Sequence, residues 1–452
     1  MDSTTDGYVW TPAQGTRKGG LKCRGVVSPP EKRNLNRKAY DVVVVGAGYA
    51  GLSAARDLAT SGRSVLLLEA RDRVGGRTYT VEENGYLYEM GGTWVTHHFA
   101  YLLKEMTRYG MDRDLILTPH SGFDNNYYTL NIPALETLVM KRPARSLAML
   151  GTFLSTLTEI CAARYARSHT HSSIISKSIG KSLKKSTNDP AKTVSKRSST
   201  YKLRQGQSEL ARRMFEEAVE FGLEYAFNTH VYSISDEAKD TYGCVKVTTS
   251  KNNTYIARRV VCTIPLNVLK TIQSSPPLSA KRQEAITTGH INFMSKVHAV
   301  VEGSGLASWN GVRSTGNFVI AYSDGVTPQG EAHLVAFGGD EHKTFVPERE
   351  PEKVIAALND LHPMKVNKTV FHNWCTDLYS NGGPAWWPPS YMSKYQDELQ
   401  SPHGAIFFAS GDWAHGWRAS IDGALEQGSL CGIQALRELH SSDKIRTRRE
   451  QL

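Results

Sequence analysis

The residues most able to do chemistry in this 452-residue chain fall within 41–77. An apolar run at 41–45 enters Gly46-x-Gly48-x-x-Gly51, an Ala-rich segment follows, and a second apolar run ends on Glu69. This is the spacing of a strand, a tight turn, a helix and a second strand. Gly46 makes the turn, Gly48 lets a pyrophosphate approach the backbone, and Gly51 lets helix and strand pack closely. The helix, opening at Tyr49 and Ala50, presents unpaired N–H groups and its positive dipole end to the phosphates. Glu69, with Ala70 and Arg71 beside it, stands where a carboxylate can accept both hydroxyls of a ribose. The chemistry is the grip of a dinucleotide.

The next residues choose the dinucleotide. Arg73-Val74-Gly75-Gly76-Arg77 is a flexible basic turn placed directly after the ribose acid. It allows Gly76 and Arg77 to fold back over the pyrophosphate, a cover that suits a permanently held flavin better than an exchanging nicotinamide. The competing reading is an ordinary solvated basic turn. The cofactor expected is FAD, with no metal.

At this point the chain resembles the flavin-containing monoamine oxidases, specifically the soluble fungal ones. Likeness runs through Asp6-Gly-Tyr-Val-Trp-Thr-Pro12, Tyr88-Glu-Met-Gly-Gly-Thr-Trp-Val95, Gly206-Gln-Ser208 and Val261-Cys-Thr-Ile-Pro-Leu-Asn-Val-Leu269. It continues in Ser295-Lys-Val-His298, Phe371-His-Asn-Trp374, Phe408-Ala-Ser-Gly-Asp-Trp-Ala-His-Gly-Trp417 and Ile421-Asp-Gly-Ala424. The resemblance implies an amine oxidised to an imine, hydrolysed to aldehyde and ammonia, with O2 reduced to hydrogen peroxide. It makes Lys296 the lysine that holds a water against the flavin, and an edge-strand lysine is its competing reading. It places Gly411 and Asp412 at a second phosphate or ribityl contact, with Val231 and Ile421 also against the cofactor. Gly92, Thr93 and Trp94 would pack beside the flavin ring.

Two departures accompany the likeness. Animal relatives attach the flavin through a cysteine just after a Gly-Gly pair; Gly382-Gly383-Pro384-Ala385-Trp386 has none, so FAD should be noncovalent. Two aromatic rings normally align the amine: Trp386 or Trp387 can supply one, but Ser420 stands where the second belongs. Trp417, three residues earlier, does not obviously replace it. The stretch between Gly92 and Gly206 also looks short of substrate-domain helices.

The elements that must position these groups follow from length and composition. With 40% hydrophobic residues, 452 residues fit two domains. The fold class expected is α/β: a Rossmann-like FAD-binding domain of the glutathione-reductase type, assembled from discontinuous segments, plus an α+β substrate domain. A partly disordered leader spans 1–38. The FAD domain takes 39–88, 206–275 and 380–441, and the substrate domain takes 89–205 and 276–379. Sheet is expected at 296–301, 317–322 and 333–337, a helix at 352–361, and a charged tail at 442–452. The apolar stretch 146–163, interrupted by polar residues, reads as a packed helix rather than a membrane span.

The net charge of +10 is local. Residues 164–204 hold eleven Lys or Arg against one acid, Asp189. Rich in serine and without periodicity, this run reads as solvated and poorly ordered, and its scarcity of aromatics argues against a nucleic-acid partner. Six scattered cysteines suit a reducing compartment, and there is no secretory signal. The last residues are charged and match a peroxisomal address poorly. A soluble cytoplasmic protein with no membrane partner is expected, and homo-oligomerisation is left open. Besides an amine oxidase acting on a small-molecule amine, two readings stay open: a flavin-binding scaffold with little turnover, and a flavin desaturase or amino-acid oxidase.

Overall fold

A computed structural model describes residues 1–32, 35, 39–118, 127–132, 135–141, 200–236, 245–339 and 344–450. The expected helix at 146–163 and nearly all of the basic run lie outside these residues, as do Cys161 and Cys244.

One sheet carries the nucleotide end. Among the described residues its eight strands include Glu224–Ala226, Val65–Leu68, Tyr40–Val45 and Thr254–Cys262, these four parallel, and Ile406–Phe408 pairs parallel with the last of them. The apolar runs are continuous because both faces are covered. Val42 and Val44 point into a cluster with the helices Tyr49–Thr60, Gln207–Glu220 and Ile421–Glu450. Val43 and Val45 point into a second cluster that includes Tyr391, Tyr395 and Trp413. Small residues let two helices approach: a Cβ on Gly428 would collide with the Ala50 carbonyl, and Gly432 lies over Ala54. The FAD-type α/β fold is thus drawn from separated parts of the chain.

Among the described residues the second sheet has nine strands, including Ser295–Val301, Phe318–Val326, Ala332–Gly338 and Val366–His372. These lie close to the expected 296–301, 317–322 and 333–337, and the helix near 352–361 is Pro351–Asn359. Ser295–Val301 is buried along its whole length, so its two faces serve different neighbours. Val297, Ala299 and Val301 fill one cluster while Val300 fills another, which puts Lys296 and His298 on the Val300 face.

The described parts of the leader, of the basic run's end and of the tail join the fold. The leader is structured: Tyr8–Thr11 and Gly15–Lys18 form a hairpin whose Val9 pairs with Val370, extending the second sheet. At the end of the basic run, Tyr201–Leu203 pairs with Leu115–Leu117, and Lys202 ion-pairs with Asp324 at 2.9 Å. The charged tail continues the helix Ile421–Glu450.

The leader is held by charge as well. Arg73, fully buried, donates from Nε to Asp6 at 2.9 Å, while Arg71 bonds Asp377 at 2.5 Å and Asp6 at 3.1 Å. Arg73 also stacks 3.5 Å from the Tyr79 ring centre and donates to the Gly76 carbonyl at 2.8 Å. Burial alone would raise the Asp6 carboxyl, but Arg73 and Arg71 outweigh it and hold the carboxyl at about 2.

Asp6→Ala leaves Arg73 buried without its carboxylate and should lower unfolding free energy by about 3–5 kcal/mol in a urea titration. Since the folded carboxyl titrates near 2, below its unfolded value of about 3.8, this stabilisation is complete above pH 4 and lost as pH falls toward 2. The acid limb of the parent's stability curve between these values should be shallower in Asp6→Ala; coincident limbs would refute the assignment.

Candidate functional site

A cavity of about 420 Å³ opens beside the ends of the parallel strands. The turn at its closed end is built as the glycine spacing requires. Gly46 sits at φ +106°, and a Cβ there would meet Thr263 Oγ1 at 2.5 Å. Gly51 lies beneath, where a Cβ would strike the Gly46 carbonyl. Gly48 caps the helix Tyr49–Thr60 without any side-chain hydrogen bond to its first turn. The Gly75–Gly76 turn folds back over it: Gly75 N donates to Ala47 O at 2.9 Å, and a Cβ on Gly76 would lie 3.1 Å from Gly48 Cα. Side chains at either glycine would fill the space between the two turns, so the cradle fits a pyrophosphate passing between them.

Glu69 lines this end but is not idle. Its carboxylate accepts from Ala47 N at 2.6 Å and Arg71 N at 2.9 Å, which braces the turn. A carboxylate has about four acceptor positions, so two remain for ribose hydroxyls. Ala70 and Val231 line the same end. Arg71 reaches the cavity, but its guanidinium is committed to Asp377 and Asp6. Tyr49 and Ala50 contribute main chain there; the Tyr49 hydroxyl turns into the core and donates to Gln207 O at 2.8 Å.

Arg77 crosses the cavity to Asp412 at 2.7 Å, and Asp412 also accepts from Leu266 N at 2.9 Å. Burial works to raise the Asp412 carboxyl, but Arg77 and His290 prevail and it is lowered. Gly411 lines the wall next to it. This pair clamps the basic turn to the segment that carries Asp412.

Lys296 lines the apolar part of the cavity and is buried. Its ammonium donates to Glu89 O at 2.5 Å, Thr93 Oγ1 at 2.6 Å and Gly91 O at 2.9 Å. All three N–H bonds thus have protein acceptors, and the edge-strand reading of this lysine is set aside by its burial in the middle of a sheet. Burial lowers the lysine's proton affinity and raises that of the neighbouring Glu89 carboxyl, while their mutual attraction opposes both shifts. Trp94 lies 5.1 Å from the ammonium and packs edge-on against Tyr322. Gly92 approaches Ile421 so closely that a Cβ would touch its side chain at 3.4 Å.

The one ring expected of the cage does not border the cavity. Trp386 is half-buried and absent from the cavity lining; its carbonyl accepts from Ile291 N at 2.7 Å. Trp387 packs against the strand core with Arg418 over its ring. Ser420 does line the cavity, and its hydroxyl caps the last long helix by accepting from Gly423 N at 3.1 Å while donating to Trp417 O at 2.6 Å. A phenylalanine there would lose a helix cap as well as add a ring. Aromatic lining comes instead from Phe99, Phe337, Trp374 and Tyr379, with Met294. Trp374 lay in a block matched by resemblance, and Phe337 on a strand of alternating character; Phe99 had no signal in the sequence.

A nucleotide cradle continuous with an apolar, lysine-bearing wall defines a flavin-dependent oxidoreductase. The profile described as "Flavin containing amine oxidoreductase" matches residues 49–167 and 182–431, and the chain belongs to that family. Pseudooxynicotine dehydrogenase of Pseudomonas sp is 27% identical over 438 residues, covering 87% of this chain and 86% of its own. Putrescine oxidase of Kocuria rosea is 26% identical, covering 88% and 95%. Amine oxidase [flavin-containing] B of Bos taurus is 25% identical, covering 90% and 87%. In fold, the chain superposes on putrescine oxidase bound to putrescine with a TM-score of 0.68 at 19% identity, covering 88% of this chain and 99% of that one. Cyclohexylamine oxidase from Brevibacterium oxydans IH-35A gives 0.67 at 17%, covering 89% and 100%.

Glu69→Ala should lose FAD on dialysis, since each hydroxyl bond to a carboxylate contributes ~1.5–3 kcal/mol and the brace on Ala47 N goes with it. Flavin occupancy equal to the parent's after dialysis would place Glu69 outside the site.

Proposed function

We propose that the protein oxidises an amine with a largely apolar body, using noncovalently held FAD and O2. The overall change is R–CH2–NH2 + O2 + H2O giving R–CHO, NH3 and H2O2. The observation that carries this reading is one cavity lined at one end by the glycine cradle with Glu69, and at the other by Lys296 among Trp94, Phe337 and Met294. When bound, the flavin accepts two electrons from the carbon beside the amine and passes them to oxygen. The chain binds, orients and sets charge. An apolar wall disfavours the ammonium form of the substrate, and the Lys296 cation adds to this by repulsion. The same cation stabilises negative charge developing on oxygen as it is reduced.

Among the described lining residues the side-chain carboxylates are Glu69 and Asp412, each engaged at the nucleotide end. That supports a monoamine over a diamine, whose second ammonium would need its own acid. Noncovalent attachment is supported by the lining, which includes no cysteine among the described residues, and by burial pushing the Cys262 and Cys431 thiols up to about 11 and 12. Lys296, with Gly92, Thr93 and Trp94, would flank the flavin ring. Ser420 borders the amine's space but does not align it. Among the described residues no helix is long and apolar enough to cross a membrane. Because one relative is named a dehydrogenase and another an oxidase, peroxide release and dye reduction should be measured together on a panel of amines and amino acids. Dye reduction without peroxide would replace O2 as the acceptor; neither signal with FAD bound would favour a non-catalytic scaffold.

Acid precipitation should leave the flavin in the supernatant, and colour retained by the washed protein would show a covalent bond. Lys296→Met should keep FAD but slow reoxidation by O2 at least tenfold, equivalent to ~1.4 kcal/mol of lost charge stabilisation. Equal stopped-flow rates would remove Lys296 from the oxygen-reacting site.

A further inference from the structure

Behind Lys296 lies a chain of buried polar groups that the proposed reaction does not use. His298 shares the face of Lys296 on the strand Ser295–Val301 and is 1% exposed; His333, on Ala332–Gly338, is fully buried. His298 Nε2 lies 2.8 Å from Glu89 O, the carbonyl that Lys296 also grips, and His298 Nδ1 lies 2.8 Å from His333 Nε2. His333 Nδ1 lies 3.2 Å from the Tyr86 hydroxyl.

Elementary donor rules fix the protons. A carbonyl oxygen only accepts, so His298 carries its hydrogen on Nε2. With His298 neutral, its Nδ1 must accept, so His333 donates from Nε2, and the Tyr86 hydroxyl hydrogen is shared between His333 Nδ1 and the Asp324 carbonyl, each 3.2 Å away. Neutrality is what the surroundings favour. Burial lowers the proton affinity of both rings, and the Lys296 and Lys202 cations lower it further, while Asp324, 3.8 Å from His333 Nδ1, pulls the other way. The remaining titratable groups packed on the pair are Tyr86, Tyr88 and Glu89; Tyr88 stands edge-on to both rings at 5.5 and 5.1 Å. A backbone carbonyl cannot hand a proton onward, so the chain does not relay protons to Lys296. It fixes an acceptor.

We propose that His298 and His333 are positioning residues for Lys296: a neutral pair locked in one tautomer holds the Glu89 carbonyl in place, and that carbonyl aims the lysine ammonium at the cavity wall. The pair touches neither the cavity nor the reacting atoms. It acts through the Glu89 carbonyl, and its importance for turnover rests on the proposed role of Lys296.

Glutamine and asparagine separate this role from simple packing, because the amide of glutamine reaches the position of Nε2 and that of asparagine does not. The measurement is a pH titration of the visible spectrum of the FAD-loaded protein, with Lys296→Met identifying the transition that belongs to the lysine. In His298→Asn the Glu89 carbonyl loses its second donor and its fixed direction, so the ammonium is held less well and the midpoint should fall by about one pH unit. His298→Gln should restore most of that shift. In turnover, kcat of the asparagine variant should fall about tenfold with KM changed less than about threefold, the glutamine variant lying nearer the parent. His333→Gln and His333→Asn, measured alongside, should show the same order, glutamine again keeping the donor to His298 Nδ1. Equal midpoints in all variants, or asparagine and glutamine variants that behave alike, would overturn the proposal. A protein that shows the spectral order but oxidises no amine would overturn the amine-oxidase reading while leaving the positioning role standing.

Discussion

Two guanidinium groups that have left water must find carboxylates, and the geometry of this molecule follows from where those carboxylates are. Arg73 has no exposure and Arg71 very little, and their partners Asp6 and Asp377 come from opposite ends of the sequence. Leaving either cation without its partner costs several kcal/mol, so the leader cannot drift away from the nucleotide turn. Arg73 then fixes the Gly76 carbonyl, and the Gly75–Gly76 turn is set over Gly48. The phosphate cradle is therefore shaped by charge buried underneath it as much as by its glycines.

At the other end of the cavity a single cation is treated differently. Lys296 has backbone carbonyls and a hydroxyl as acceptors, and its carboxylate neighbour is itself pushed toward the neutral form by burial. Such a lysine keeps its direction but holds its proton less firmly than a solvent-exposed one. Trp94 and Phe337 stand around it as an apolar wall, whereas Trp386, to which the family resemblance pointed, does not border the cavity.

The nucleotide end was legible because its signals are local: glycine spacing, an acid at the next strand end, and a basic Gly-Gly turn all lie within 37 residues of sequence. Nearly every residue expected there borders the cavity. Strands at 295–301, 318–326 and 332–338 were legible from alternation. What sequence could not show is set by distant partners. Arg71 reads as a cofactor neighbour beside Glu69, yet Asp6 and Asp377 claim its guanidinium, and Ser420, read as a missing ring, also caps a helix through Gly423. Trp386 was placed by resemblance to a motif, but the Gly382–Gly383 turn delivers it to Ile291 rather than to the cavity. The leader looked unstructured because its strand partner lies more than 350 residues away.

That separation has a bearing on how the molecule is made. The strand Tyr8–Thr11 is synthesised early but closes the second sheet only against Phe371, Val370 and Thr369. Loop closure over such a distance is slow, and domains form as their segments emerge. The parallel strands 40–45 and 65–68 can pair at once, while Arg71 lacks Asp377, and the cradle the Ile421–Glu450 helix, until those later segments emerge. A cofactor cradle thus exists in outline long before its walls do, and an early strand waits for a partner made more than 350 residues later.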